Sequence, residues 1–351
     1  MRKLPIIEGI APGAAIPGGE IAIDLMATPE GAAGAVAIGG ASAHVVAQSH
    51  RRILVIVPDD IADGEVSILN RPDGEAIDQT AKLIVGSKLA GDLHPVANPA
   101  FDPADGSVYV TRSGSRGEHV PVSLYRITAD GVVEDFSGDI TNPTGIAFSP
   151  RGQMFVTSRL DGTVYRISAL NDCSVFASEL GVATGLAFNT DGDMFVGDRS
   201  GTIFRVNEIG EATEWASHEP SVSAYHLAFG PDEALYVSGP TVSSFDGITR
   251  FDKLGTPELF FQGLGRPQGL AFDVHGNLYV AASLRGRRGV VRVSPDAKEA
   301  ELVVAGMNVV GLAFGPDGDM IVATNDSVYR LKSGIQGHSP SWNSALTRDR
   351  S

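Results

Sequence analysis

One phrase recurs through the larger part of the chain and restricts the fold more than any other feature. The phrase has five positions: first a variable residue, then Gly, then an aliphatic residue, then Ala and finally Phe, as in Thr144–Phe148 and Thr184–Phe188. The copies end at Phe148, Phe188, Phe229, Phe272 and Phe314, and a degenerate copy ends at Phe101. Their spacing is about 42 residues. A chain that repeats one unit six times folds as a series of similar modules in which each unit packs on its neighbours.

Each unit has the pattern of four short strands. The Phe is followed by a turn such as 315–318 and then by apolar segments such as 278–280, 164–167 and 301–304. Four short strands in a unit of this length are typical of a β-propeller blade. The sequence therefore predicts an all-β protein in which residues 80–333 form a six-bladed propeller. The last unit lacks a fourth strand, so residues 82–86 are predicted to supply it and to close the ring.

The first eighty residues follow a different pattern. Short apolar segments are separated by turns such as Pro17–Gly19 and Gly39–Gly40. Strands at intervals of about 8 to 12 residues are typical of a β-sandwich. We therefore expect an immunoglobulin-like β-sandwich over residues 4–78 and a polar C-terminal tail over residues 334–351.

Both parts resemble known families. The recurring phrase resembles the NHL repeat and the six-bladed propellers of the gluconolactonase and regucalcin superfamily, and it is similar to phrases of the streptogramin lyase group. The Pro17–Gly19 turn, the strand that ends at Gly39–Gly40 and the strand that ends at Val57–Pro58 resemble the TIG (IPT) domain. The propeller families include hydrolases, lyases and binding modules, so the first resemblance implies a fold and leaves the chemistry open. The second implies a spacer or a docking module.

Composition narrows the classes of partner. The chain has 27 Lys and Arg against 42 Asp and Glu, a net charge of -15, and the acidic residues are spread along it. We therefore expect no nucleic-acid partner and no insertion into a membrane. No signal peptide is visible, which predicts a cytoplasmic protein, or an extracytoplasmic one if a leader has been removed. Cys173 is the single cysteine, so an intramolecular disulfide is excluded.

Candidate site residues come from the position before the Gly of each phrase, which should face the mouth of the propeller's channel. In the metal-dependent lactonases that the chain resembles, such positions carry Glu, Asn and Asp, whose oxygens suit a hard divalent cation. In this chain they are held by Thr144, Thr184, Tyr225, Gln268 and Val310. Since none is a carboxylate, no cofactor is evident, and Ca²⁺ or Mg²⁺ belongs to the alternative function below.

Other polar residues should surround the mouth. They are Asn98, Asn142, Asp198, Arg199, Arg266, Asn308 and Asp326. His226 stands where four other copies have Gly, and with Tyr225 it is the candidate catalytic group, acting as a general base. The alternative is a histidine that fills the channel and bonds to the backbone. Arg112, Arg159 and Arg199 follow the second strand of three successive units, where they could attract an anion or pair with Asp161 and Asp198.

Three functions remain open from the sequence, the third being a purely structural role, for instance as an envelope or assembly component, which the repeat and the immunoglobulin-like layout favour. The missing ligand set favours a propeller that binds an unknown small molecule or protein, with the TIG-like domain as a spacer or docking module. The alternative is a divalent-metal-dependent hydrolase, lactonase or lyase of the gluconolactonase-like or streptogramin-lyase-like type. In that enzyme the cation would be held among Asn98, Asn142, Asp198 and Asp326, with His226 as the base.

Overall fold

The structure is a computed structural model, and it confirms the all-β prediction. It describes residues 6–26, 35–61, 64–69, 76–115, 117–137, 139–168, 170–243, 245–315 and 317–338. Every regular element in these ranges is a β-strand. A helix long and apolar enough to cross a membrane does not occur among them.

The N-terminal part forms one antiparallel sheet of seven strands. The first eight strands of the chain are β1 (Ile6–Ala11), β2 (Ala14–Ala15), β3 (Glu20–Met26), β4 (Ala35–Ile38), β5 (Ala41–Gln48), β6 (Arg52–Ile56), β7 (Glu65–Leu69) and β8 (Ala76–Lys82). All except β2 belong to the sheet, in the order β1-β3-β6-β5-β4-β7-β8. Alternate residues such as Ile21, Ile23 and Ile53 are buried in one apolar cluster, as expected for strands with one buried face. The immunoglobulin-like assignment stays a prediction.

The predicted closing strand is wrong in its position. Residues 84–85 form β9 (Ile84–Val85), which pairs in parallel with β2, while the following β10 (Ser87–Ala90) pairs with the last strand of the chain. The physical reason lies in the buried side chain of Leu83, which packs in the N-terminal cluster and holds this segment against that sheet. The closing strand therefore begins after Gly86.

Three consecutive four-stranded antiparallel sheets follow. The first contains β11 (Ala100–Phe101), β12 (Val108–Thr111), β13 (Leu124–Ile127) and β14 (Val133–Ser137). The second contains β15 (Pro143–Phe148), β16 (Met154–Ser158), β17 (Thr163–Ile167) and β18 (Cys173–Ala177). The third contains β19 (Ala183–Phe188), β20 (Met194–Asp198), β21 (Thr202–Val206) and β22 (Ala212–Ser217). In each sheet the strand order follows the chain, as the repeat predicts.

The next two units share one larger sheet. They comprise β23 (His226–Phe229), β24 (Leu235–Ser238), β25 (Asp246–Phe251), β26 (Pro257–Gly265), β27 (Leu270–Phe272), β28 (Leu278–Leu284), β29 (Arg287–Val293) and β30 (Ala300–Ala305). Two residue pairs between β26 and β28 join the units, and β2 and β9 extend the sheet beyond β30 to ten strands. Apart from the seven-stranded N-terminal sheet, the described residues thus form four separate four-stranded sheets and one ten-stranded sheet, whereas the repeat predicts six separate blades. The difference arises because β26 continues far enough to meet β28.

The last sheet combines both ends of the repeat region. It contains β31 (Val309–Phe314), β32 (Met320–Thr324) and β33 (Val328–Leu331), with β10 as its fourth strand. The arrangement is propeller-like. The predicted tail begins as an ordered segment, since the backbone N–H of His338 donates to the carbonyl of Phe272 at 2.8 Å. Its residues 339–351 lie outside the described residues.

The repeated Phe and Gly explain how neighbouring units pack. Each Phe contacts an aromatic ring on the second strand of the unit before it, and the five ring pairs have centroids 4.7 to 5.7 Å apart. These pairs are Tyr109–Phe148, Phe155–Phe188, Phe195–Phe229, Tyr236–Phe272 and Tyr279–Phe314. At Gly145 a Cβ would lie 2.5 Å from the carbonyl oxygen of Thr184 in the next sheet, so any larger residue would push the two inner strands apart.

Candidate ligand-binding face

All of the residues predicted to surround the mouth lie at one end of the sheets. In an antiparallel meander, the loop from strand two to strand three and the connection to the next sheet leave from the same end. We call this end the mouth face. It is formed by the loops 91–99, 112–115, 117–123, 139–142, 159–162, 178–182, 199–201, 218–225, 239–243, 266–269, 285–286, 306–308 and 325–327, with the strand residues next to them.

Thr144 and Thr184 are buried within the inner strands. The Thr184 hydroxyl donates to the carbonyl of Gly197 at 3.0 Å and accepts from the backbone N–H of Tyr225 at 3.0 Å. The carbonyl of Thr144 accepts from the hydroxyl of Thr111 at 3.0 Å. Both threonines therefore link neighbouring sheets. Neither is exposed on the mouth face.

Tyr225 is fully buried and its hydroxyl is bonded to its own loop. The phenol donates to the carbonyl of Glu219, and its ring lies 5.4 Å from that of His218. Burial, with smaller contributions from Asp198 and Glu219, raises the pKa of Tyr225 above its ordinary value. The side chain is therefore neutral at pH 7 and anchors the loop 218–225.

His226 differs from Tyr225 because its ring is buried and has no partner. It is 3% exposed, and neither ring nitrogen has a hydrogen bond to any residue that the structure describes. Burial alone lowers the pKa of His226 to about 4, and no charged group contributes. At pH 7 the imidazole is neutral and able to accept a hydrogen bond from a bound molecule.

Asn142 holds a loop of the preceding sheet. Its amide donates to the carbonyls of Gly114 and Ser115 at 3.0 and 2.9 Å, and its carbonyl oxygen accepts from the N–H of Gly117 at 2.8 Å. The residue is 1% exposed and has a φ of +48°, a left-handed conformation that Asn tolerates better than most residues. Its polar atoms are used within the protein.

Asp198 is bonded in the same way to its own turn and to the loop before its sheet. One carboxylate oxygen accepts from the N–H of Val182 at 2.9 Å and from that of Ser200 at 3.0 Å. The other accepts from the Ser200 hydroxyl. The side chain is buried, and these donors balance its charge without a cation.

Asn98 joins the first sheet to the last two. Its amide donates to the carbonyl of Leu270 at 3.0 Å, and its oxygen accepts from the N–H of Leu312 at 3.1 Å. It lies so close to Gly269 that a Cβ there would stand 1.9 Å from the Asn98 oxygen. Both functional groups of this side chain are therefore used between sheets.

The remaining candidates divide into bonded and free side chains. The Asp326 carboxylate accepts from the hydroxyl of Ser327 at 2.6 Å. Gln268 is half-buried; its backbone N–H donates to the carbonyl of Ala281 at 2.9 Å, and its side-chain amide has no hydrogen bond to any described residue. The other three, Arg199, Arg266 and Asn308, are exposed, and their side chains have no hydrogen bond or ion pair to any described residue. These three side chains are available to a ligand.

The sequence analysis missed one buried carboxylate at this face. Asp246 is 4% exposed, and one of its oxygens accepts from the N–H and the hydroxyl of Thr241 at 3.1 and 2.6 Å. Its other oxygen is enclosed and has no hydrogen-bond partner in the part of the chain that the structure describes. The signal in the sequence was an acidic residue at the start of β25, where β17 and β21 begin with Thr163 and Thr202.

The carboxylates and histidines of the mouth face do not converge. Each carboxylate described above is bonded within its own loop or to the loop beside it. Over the described ranges, no group of three or more His, Cys, Asp or Glu side chains is placed to hold a metal ion. The protein's own donors therefore bind the side-chain oxygens of Asn98, Asn142 and Asp198, which the alternative function would assign to a cation.

Comparisons with known proteins agree on the fold. The WD domain, G-beta repeat family matches residues 132–166, and a search of curated proteins finds no match. A structure described as a candidate gluconolactonase has 19% sequence identity and a TM-score of 0.60, covering 72% of this chain and 93% of that one. The calcium-binding protein regucalcin from Agrobacterium tumefaciens has 17% identity and a TM-score of 0.58, covering 73% of this chain and 96% of that one.

Other similar structures extend over the N-terminal sheet as well. An auxiliary nutrient binding protein from Bacteroides thetaiotaomicron has 14% identity and a TM-score of 0.56, covering 94% of this chain and 97% of that one. At such identities the likeness concerns the fold alone. The chain is an all-β protein with the propeller-like arrangement that these structures share.

Proposed function

We propose that this chain is a binding protein whose mouth face receives a small molecule or a protein partner. The observation that carries this proposal is which side chains of the mouth face are hydrogen-bonded within the protein and which are not. Asn98, Asn142 and Asp198 are bonded within the protein, whereas Arg199, Arg266 and Asn308 are exposed and free. A face of this kind offers donors for recognition and lacks a converging set of reactive groups.

The proposal includes six blades. The two units of the ten-stranded sheet each have four antiparallel strands in chain order, which supports counting them as the fourth and fifth blades. The ring contacts between successive units run from Tyr109 to Phe314. The series closes because Phe101 of the first unit packs in the same apolar cluster as Ile321 of the last.

The N-terminal sheet is proposed as a TIG-like spacer or docking module. It is held against the fifth blade, since Arg287 donates to the carbonyls of Ala11 and Glu20 at 2.9 and 3.1 Å. In addition, Ala14 and Ala15 of β2 pair with the outer strand of that blade. These contacts favour a fixed position on the outer side of the ring, away from the mouth loops of the second and third blades.

A metal-dependent hydrolase, lactonase or lyase is the second candidate, and one observation favours it. His226 is neutral, buried and without a side-chain hydrogen bond to any described residue, and a general base must be unprotonated at the working pH. In that reading Ca²⁺ or Mg²⁺ would have to displace donors that already bind Asp198 and Asn142. The bonded state of those side chains weighs against it.

The test combines ligand screening with mapping. Metal-free protein is screened by melting temperature against a panel of uncharged sugars, amino acids, nucleosides and small anions, because a ligand that favours the folded state raises that temperature. Hits are mapped by hydrogen exchange and by Arg266→Ala and Asn308→Ala variants, with the exposed Arg166→Ala on β17 as the control.

We expect protection from hydrogen exchange to be confined to the mouth loops. Binding should be weaker in the mouth variants and unchanged in the control. Turnover of lactones or esters that depends on Ca²⁺, Mg²⁺ or Mn²⁺ and disappears in His226→Gln would replace the binding proposal with the hydrolase. Protection confined to the opposite end of the sheets would also overturn it.

A further inference from the structure

Three arginines take equivalent positions at the mouth face. Arg112, Arg159 and Arg199 each follow the second strand of one of three successive sheets. The backbone N–H of Arg159 donates to the carbonyl of Asn142 at 3.2 Å, and that of Arg199 donates to the carbonyl of Val182 at 3.2 Å. Both acceptors lie just before the inner strand of the same sheet, so Arg159 and Arg199 start from the rim of the channel.

Neither of the two guanidinium groups has a carboxylate partner. Over the described residues, no Asp or Glu oxygen lies within ion-pair distance of Arg159 or Arg199. Arg159 is half-buried and makes one long contact of 3.4 Å to the carbonyl of Gly114. The two acidic residues that the sequence offered as partners are engaged elsewhere, Asp161 by the hydroxyl of Tyr165 at 2.8 Å and Asp198 by backbone amides.

Two arginines on other strands of the propeller region have carboxylate partners, whereas the exposed Arg166 on β17 has no ion pair to any described residue. Arg126 pairs with Asp105 and Glu134 at 2.6 and 2.7 Å, and Arg250 pairs with two carboxylates in the same manner. The chain has 42 acidic residues, so partners are plentiful. Arg159 and Arg199 are thus without an ion pair among the described residues although the chain is rich in carboxylates.

The charge of Arg199 also acts on Arg159. Burial, and after it the charge of Arg199, lowers the pKa of Arg159 below its ordinary value. Two cations held near one another on a partly dry surface are destabilising unless an anion lies between them. Arg112 stands beside this pair, with its guanidinium bonded to the hydroxyl of Tyr125 at 3.1 Å.

We propose that Arg159 and Arg199 form a subsite for the carboxylate or phosphate group of a small-molecule ligand. A guanidinium presents two parallel N–H donors, which fit both kinds of oxyanion, and two guanidiniums that start from adjacent blades can grip one anionic group from two sides. The inference rests on the proposed binding function and deepens it by giving the chemical class of the ligand.

The test uses two small anions, inorganic phosphate and malonate, titrated at constant ionic strength against the whole chain and followed by calorimetry and melting temperature. The variants are Arg159→Gln and Arg199→Gln. Arg151→Gln is the matched control, because Arg151 is exposed in a turn at the opposite end of the same sheet. This substitution removes the same charge as the two mouth variants. Arg159→Lys keeps the charge and removes the forked donor.

We expect saturable binding of at least one anion, weakened about tenfold or more by each mouth variant and unchanged in the control. The stronger of the two anions identifies the group. Arg159→Lys should retain part of the affinity, which also shows that the site survives substitution. Absence of saturable binding of both anions, or equal weakening by Arg151→Gln, would overturn the subsite. Uncharged ligands that still protect the mouth loops would then leave the binding function in place, whereas cation-dependent turnover would remove the function itself.

Discussion

His226 should make the stability of the propeller depend on pH in a defined window. Burial lowers its pKa to about 4 from an ordinary value of 6.5. Between these values the unfolded chain binds a proton at this side chain and the folded chain does not. The stabilisation is therefore complete above pH 6.5 and is lost as the pH falls towards 4. A difference of about 2.5 pKa units corresponds to about 3 kcal/mol at the acidic end.

The assay compares urea unfolding at pH 7.5 and 4.5 for the natural chain and for His226→Gln, followed by tryptophan fluorescence. Trp215 is a suitable reporter because it packs in the same apolar cluster as Tyr225, next to His226. Carboxylates also titrate in this window, but they contribute equally to both proteins. The natural chain should lose about 2 to 3 kcal/mol more than the variant between the two pH values.

The control is His275→Gln, which removes an exposed histidine from the same propeller. It should keep the full pH dependence of the natural chain. Equal losses for the natural chain and His226→Gln would refute the reasoning, because they would mean that the ring is protonated in the folded state. If His226→Gln is poorly folded at pH 7.5, His226→Asn provides the second non-titrating variant.

Three further predictions concern side chains whose role is structural in this fold. Asp198→Ala should lower the free energy of unfolding by about 2 to 3 kcal/mol because buried amides lose their acceptor. Asp198→Asn keeps an oxygen, so its free energy of unfolding should fall by less. Equal losses for the two variants in urea unfolding would contradict this prediction. Asn142→Ala should speed hydrogen exchange in the loop 112–123, where its amide is bonded, and unchanged exchange would contradict that role. Burial raises the pKa of Cys173 from 9.0 to about 11. At pH 8 its reaction with a disulfide reagent should therefore be about a hundredfold slower in the folded chain than in urea. A rate equal to that in urea would contradict this prediction.

The repeated phrase was enough to predict the strands and their packing because its information is local. Apolar residues at alternate positions define a strand, and a Phe at the same place in every unit meets an aromatic ring of the unit before it. The Gly of the phrase is required wherever two inner strands approach, as at Gly145. The all-β class and the propeller-like arrangement follow from these features without knowledge of any distant contact.

The position of the closing strand depended on the tertiary structure. Residues 82–85 and 87–90 both have the composition of a strand, and only the burial of Leu83 in the N-terminal cluster shows which of them turns towards that sheet. The pairing of β26 with β28 likewise depends on how far two neighbouring units approach. Local sequence carries no record of such choices because the partners are separated by many residues.

The state of the mouth residues was also decided by the tertiary structure. From the sequence, Asn142, Asp198 and Arg199 were equivalent polar candidates at one rim. In the fold, the first two are bonded to backbone groups of neighbouring loops, and Arg199 is left without a partner among the described residues. Residue type and spacing determine which groups reach the mouth, because the strand ends of a repeat are set locally. Whether such a group is free to bind a ligand depends on donors and acceptors that only folding brings within hydrogen-bond distance.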